Sequence, residues 1–167
     1  MLTDLVQIRR LGEKKREENE RFRKHLKRYN YQEKRFRALA QEVEEQIDCR
    51  QCANCCRVAT ARLIERDVAK LAKSMRISET QFIREYTEES PEEGLILKQG
   101  ENGCVFLSGN DCLVYDVRPA SCQDFPHLVR GSGSVTAKMW DFKDRACYCP
   151  IVYNTLEAFK KETGFNG

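Results

Sequence analysis

Four cysteines fall within eight residues, Cys49-Arg-Gln-Cys52-Ala-Asn-Cys55-Cys56. Two-residue spacers let successive thiolates turn back toward one centre, as in zinc knuckles and iron–sulfur loops. Thiolate is a soft ligand, so such a run selects zinc, iron–sulfur or Cu(I) over hard cations. Neighbouring side chains do not both point comfortably at one small tetrahedral centre. One of Cys55 and Cys56 is therefore expected to serve a second site or a bridge.

Five further cysteines follow: Cys104, Cys112, Cys122, Cys147 and Cys149. Each is expected at a strand end, a turn or a helix start, where a ligand is held firmly. Two four-coordinate thiolate sites need eight ligands, and this chain has nine cysteines. Cys147 and Cys149 compete for the last place. Cys149 is favoured because Pro150 follows it and fixes a helix start, where backbone amides favour a thiolate. Nine in 167 residues is also too sparse for a small disulfide scaffold, which carries above about 8–10% Cys. An odd number leaves one thiol over if all pair. The N-terminus MLTDLVQIRR has no apolar run after its basic residues, so no signal peptide is expected. The expected location is a reducing cytoplasm, where clustered cysteines bind metal or do redox chemistry.

Composition excludes two classes. Mean hydropathy is −0.65 and no stretch approaches the run of about 18 apolar residues that spanning a membrane needs. Eight Phe, six Tyr and one Trp are available for burial, which does not fit a wholly disordered chain. Charge is unevenly spread. Residues 1–47 hold 13 Lys and Arg against 9 Asp and Glu, while all the cysteines lie beyond them. This asymmetry predicts two regions: a basic amphipathic helical arm, 1–47, and a cysteine-bearing domain, 48–167.

The arm reads as one long helix, or two in line. Phe22, Leu26, Tyr29, Glu33, Phe36, Ala40, Val43 and Ile47 alternate by four and three, which makes a stripe on one face. Backwards, the stripe is interrupted by the polar section LGEKKREENE. The simplest role is a helix packing one face on the remainder. A short coiled coil, or a protein or RNA partner attracted by the basic residues, are the alternatives. Further on, Glu65–Arg76 reads as a helix burying Val68, Leu71, Ala72 and Met75. Ser78 caps a second helix, with Gln81 as its capping-box partner and Phe82, Ile83 and Tyr86 inside. Short strands are expected at 95–98, 104–107 and 113–115, and a helical turn from Pro119 through Cys122. A hairpin is expected around Gly131–Ser134, and a final helix from Pro150 to just before Gly164. The fold class is therefore α+β: a mostly helical small domain with short strands around cysteine metal sites, plus a long basic N-terminal helix.

Three segments together resemble the YkgJ-type cysteine-cluster family: Cys49–Cys56, Cys104-Val-Phe-Leu, and Cys112-Leu-Val-Tyr-Asp-Val-Arg-Pro-Ala-Ser-Cys122-Gln-Asp-Phe-Pro. Residues 49–150 carry the likeness, and Glu65–Tyr86 resembles the family's helical pair. Members are described as zinc- or iron-chelating proteins. The resemblance implies Cys49, Cys52, Cys55, Cys56, Cys104, Cys112, Cys122 and one of Cys147 and Cys149 as metal ligands. Gln123 stands where many members have Arg. The cluster also resembles part of the flagellin lysine methylases, which keeps an enzymatic alternative open, although no cofactor fingerprint is present. Zinc is preferred to an iron–sulfur cluster, because the fourth cysteine of the ferredoxin spacing is displaced. Around Cys122, Arg118 either donates to a thiolate or loop carbonyl or pairs with Asp116 or Asp124, and Tyr115 and Phe125 offer core packing. His25 reads as a surface residue and His127 as a hydrogen-bonding one.

Overall fold

The computed structural model describes residues 1–167. In chain order the helices are α1 (Leu5–Lys14), α2 (Arg16–Arg28), α3 (Glu33–Glu44), α4 (Cys49–Cys52), α5 (Asn54–Val58), α6 (Glu65–Met75), α7 (Glu79–Tyr86), α8 (Ala120–Asp124), α9 (Val135–Arg145) and α10 (Pro150–Glu162). Between α7 and α8 lie three antiparallel pairs: β1 (Thr87–Ser90) with β2 (Gly94–Leu97), β3 (Gln99–Gly100) with β4 (Gly103–Cys104), and β5 (Leu107–Ser108) with β6 (Asp111–Cys112). This is the expected mostly helical α+β class. No helix is long and apolar enough to cross a membrane. The chain divides into two compact units, residues 1–48 with 126–167, and residues 49–125. The division expected at 47/48 leaves residues 126–167 with the cysteine clusters; they fold with the arm instead, because α9 and α10 pack on its helices.

In the first of these units the arm's apolar stripe is buried as Ile8, Phe22, Leu26, Phe36, Ala40 and Val43. The stripe also runs through the polar section expected to break it, since Gly12 and Asn19 are buried. The expected long helix is divided into three. Lys15 separates α1 from α2, and Tyr29, extended at φ −100° and ψ 127°, ends α2. Tyr29 is exposed although its position lies on the stripe. Helix α10 buries Val152, Leu156 and Phe159 against α3, and Gly164 follows its end at φ +65°. Phe36 stacks on Phe142 at 6.2 Å and meets the edge of Phe159 at 5.0 Å. Aromatic pairs in these arrangements add to the energy of area burial. Gly12 is required by close approach: a Cβ there would lie 2.6 Å from both the Ala146 carbonyl oxygen and the Cys147 Cα.

The expected hairpin around Gly131–Ser134 is replaced by α9. Ser134 Oγ accepts the Ala137 N–H at 3.2 Å and caps that helix. Val135, Met139, Phe142 and Ala146 then follow one another at helical spacing into the core. The glycines ahead of Ser134 thus lead into a helix rather than a strand.

In the 49–125 unit the core is Ala61, Leu63, Val68, Leu71, Ala72, Phe82, Leu97 and Phe106. Helices α6 and α7 pack together as the periodicity predicts. Ser78 Oγ accepts the Gln81 N–H at 3.1 Å, but the Gln81 side chain bonds Glu85 rather than closing a capping box. Ile83 is exposed, contrary to expectation, while Phe82 is buried. Phe82, Tyr86 and Phe106 form a stack with spacings of 5.5 and 5.3 Å. The strand expected at 113–115 is instead the approach to a single 3-10 turn, Tyr115–Val117. Cys104, Cys112 and Cys122 all pack against this core's edge.

Candidate metal centre

Cys49 and Cys52 bracket the single turn of α4. Ala53 follows in the left-handed conformation at φ 46°, and α5 then carries Cys55 and Cys56. A non-glycine residue is rarely held there, at a cost of about 1–2 kcal/mol. The Ala53 N–H still donates to the Cys49 carbonyl at 2.8 Å. This break gives the four-cysteine segment two short helices rather than one continuous one.

Three separate devices bring other cysteines to this segment. The first is Gly103, at φ +110°: a Cβ there would lie 2.6 Å from the Arg57 Cα and collide with the Cys56 carbonyl oxygen. Strand β4 therefore lies directly on α5, which delivers the next residue, Cys104. The second is the turn joining β5 and β6. Arg57 donates to the Gly109 carbonyl at 2.9 Å, to the Asn110 side chain, and to the Cys52 carbonyl at 3.1 Å. Asn110 Nδ2 in turn donates to the Gln51 carbonyl at 2.8 Å. These bonds clamp the turn beside Cys112 to α4 and α5. The third holds α8 and Cys122. The buried carboxylate of Asp67 accepts the Ala120 N–H at 3.1 Å, and Ser121 Oγ donates to the Arg62 carbonyl at 2.8 Å.

Electrostatics link the thiols so assembled. The Cys55 thiol hydrogen-bonds Cys56 and, against the opposing effect of burial, draws its pKa down to about 6; the Arg57 and Arg118 guanidinium groups add to the effect. Burial pushes Cys122 up to about 12, and the charges of Cys104 and Cys56 push in the same direction. Cys104 and Cys112 are raised by burial first and then by Cys56. Each ionised thiol thus hinders the next, and a cation among them would remove that mutual penalty. The donors are all sulfur, which fits a soft metal such as zinc or an iron–sulfur cluster. All nine thiols are free of disulfides. No three His, Cys, Asp or Glu side chains stand in a ready-made metal-holding arrangement, so the thiols share a neighbourhood without enclosing a metal position.

Cys147 and Cys149 belong to the other unit. Cys147 Sγ donates to the Lys143 carbonyl at 3.5 Å, and burial, with Glu13 nearby, pushes its thiol up to about 11. Cys149 is the buried N-cap of α10. Arg118 lies over the Tyr115 ring at 3.8 Å and donates from Nε to the Tyr115 carbonyl at 3.0 Å, so the carbonyl alternative is the one observed. Tyr115 is exposed rather than core. His25 is half-buried among Phe22, Tyr29 and Phe165, not a bare surface residue. Two supporting residues, Asp67 and Arg57, escape the sequence reading. Asp67 left one local signal, an acid in the first turn of a helix, where it accepts the Ile64 N–H at 3.2 Å.

Comparison with known families gives one match. The CxxCxxCC model, described as a "putative zinc- or iron-chelating domain", covers residues 48–150 and so takes in every cysteine of the chain. No curated protein and no solved structure matches.

Proposed function

This chain belongs to the CxxCxxCC family of zinc- or iron-chelating domains, and on that footing we propose that it is a thiolate metal-binding protein with zinc as the preferred metal. The supporting observation is the shared electrostatic neighbourhood of Cys56, Cys104, Cys112 and Cys122, brought in from four different segments. Cys49, Cys52 and Cys55 complete the proposed donors of the 49–125 unit. Of the two cysteines that the other unit holds, Cys149 is preferred as a ligand, and Cys147, whose thiol is engaged by its own helix, is the spare.

A bound metal would supply the positive charge that lets several close thiols ionise together. The chain's own residues prepare for it. Cys56 is held toward ionisation by its bond from Cys55 and the nearby guanidinium groups. Arg57 and Arg118 place positive charge beside it, while Arg57 also fixes the turn that carries Cys112. Closed all-thiolate sites are structural or electron-transferring, since catalysis needs an open coordination position. Thiolate ligands require reduced cysteines, and we place the protein in the reducing cytoplasm.

The test is metal and acid-labile sulfide analysis, with an absorption spectrum, of protein purified without oxygen. Zinc without sulfide supports the reading. Sulfide with a visible charge-transfer band replaces zinc by an iron–sulfur cluster. Metal-free protein with its cysteines in disulfides rejects it.

A further inference from the structure

Acids and bases of the arm are used in opposite ways. Glu13 pairs with Arg16, Glu18 with Lys15 and Lys160, Glu20 with Arg23 and Lys143, and Glu33 with Arg37. The acids are thus neutralised within their own unit. Arg10, Lys14, Arg21, Lys24, Lys27 and Arg28 are exposed and enter no ion pair. Two exposed acids stand among them, Glu17 and the Arg16-paired Glu13.

Their positions are not scattered. The buried stripe runs Ile8, Gly12, Asn19, Phe22 and Leu26. Two residues further on, about 200° around a helix, the same intervals give Arg10, Lys14, Arg21, Lys24 and Arg28. The outward face of α1 and α2 is therefore a line of cations at roughly one per 5.4 Å turn. Val6, one turn ahead of Arg10, is the one large apolar side chain exposed on α1, and α2 exposes none. A helix lying in a membrane surface needs an apolar face, and a protein-docking surface needs buried anchors. A regularly spaced polyanion needs neither. Beside this face, on α9, the only Trp of the chain is 49% exposed, with Arg23 at 4.6 Å and Lys143 at 4.0 Å from its ring centre. An exposed aromatic ring beside a cationic face is the element on which an unpaired base stacks.

We propose that the outward face of α1 and α2, with Trp140, binds single-stranded nucleic acid through its phosphodiester backbone, without reading sequence. The experiment is fluorescence anisotropy of a labelled oligouridylate with the full chain over a salt series. For four phosphate contacts the expected loss between 50 and 200 mM salt is on the order of 50-fold. The variant R21Q/K24Q/K27Q/R28Q abolishes binding while circular dichroism keeps its helix content. Singly, K24Q and R28Q each flatten the salt slope by about 0.7, and Trp140→Ala weakens binding by roughly tenfold. The proposal is overturned by no binding at 50 mM salt, by unchanged affinity in the single variants or in Trp140→Ala, or by polyglutamate or anionic vesicles competing as well as the oligonucleotide.

Discussion

The carboxylate of Asp67, in the first turn of α6, accepts the backbone N–H of Ala120, which opens the short helix carrying Cys122. Its other oxygen accepts the Ile64 N–H at 3.2 Å, so one side chain caps α6 and fixes α8. Asp67→Ala removes the acceptor of two part-buried backbone N–H groups and should cost on the order of 1–3 kcal/mol. Urea unfolding measures the loss, and metal content should fall with it because Cys122 is no longer held. Full stability in this variant would refute the anchoring role.

Two glycines are required by close approach, but in different units. Gly12→Ala drives a methyl into the Ala146 carbonyl and should lower stability by about 1–3 kcal/mol. Metal stoichiometry should survive. Gly103→Ala meets both a positive φ and the backbone of Cys56 and Arg57, so it should displace Cys104 and lose metal. Comparing melting temperature with metal content in both variants separates the two outcomes.

Cys147→Ser should keep the full metal complement, because that thiol already bonds the Lys143 carbonyl. Cys56→Ser, Cys104→Ser and Cys122→Ser should each lower it. Equal loss in Cys147→Ser and Cys56→Ser, by metal analysis, would end its assignment as the spare.

Glu18 predicts an acid-side dependence of stability. Burial works against its ionisation, but the Lys160 ammonium at 2.6 Å, with Lys15 at 3.6 Å, outweighs burial and holds the carboxyl below its ordinary 4.5. A depressed acid contributes stability above its unfolded pKa and loses it as pH falls through the folded one. The contribution is on the order of 1 kcal/mol, fully present at pH 7 and lost below the ordinary value. Urea midpoints from pH 7 to 3 should show this component in the native chain and not in Glu18→Gln.

Some of this structure is written locally and was legible in the sequence. The apolar spacing of α6 and α10, the Ser78 cap and the Cys-Pro entry to α10 each depend on residues within a turn of one another. Helix α9 does not show in the sequence because Gly131–Ser134 between apolar residues also suits a hairpin; the decision lies with the Ser134 cap and the buried faces of Met139 and Phe142. Strand β1 reads Thr-Glu-Glu-Ser and carries no alternation, so its pairing with β2 is visible only in three dimensions. Tyr29 occupies a stripe position, yet the chain turns there and leaves it outside. The cysteine spacing announced thiolate chemistry. The clamps that gather the cysteines did not show, because Asp67–Ala120 and Arg57–Gly109 join residues more than fifty apart.

One unit is built from both ends of the described chain, residues 1–48 and 126–167, with residues 49–125 inserted between them. During synthesis, the inserted segment is complete before α9 and α10 exist. The arm, by contrast, cannot bury Phe36 against Phe142 and Phe159 until the last helices have emerged. Domains fold as units in the order they leave the ribosome. The cysteine segment can therefore finish folding on the nascent chain while the arm still waits, its apolar stripe open to whatever chaperone attends it.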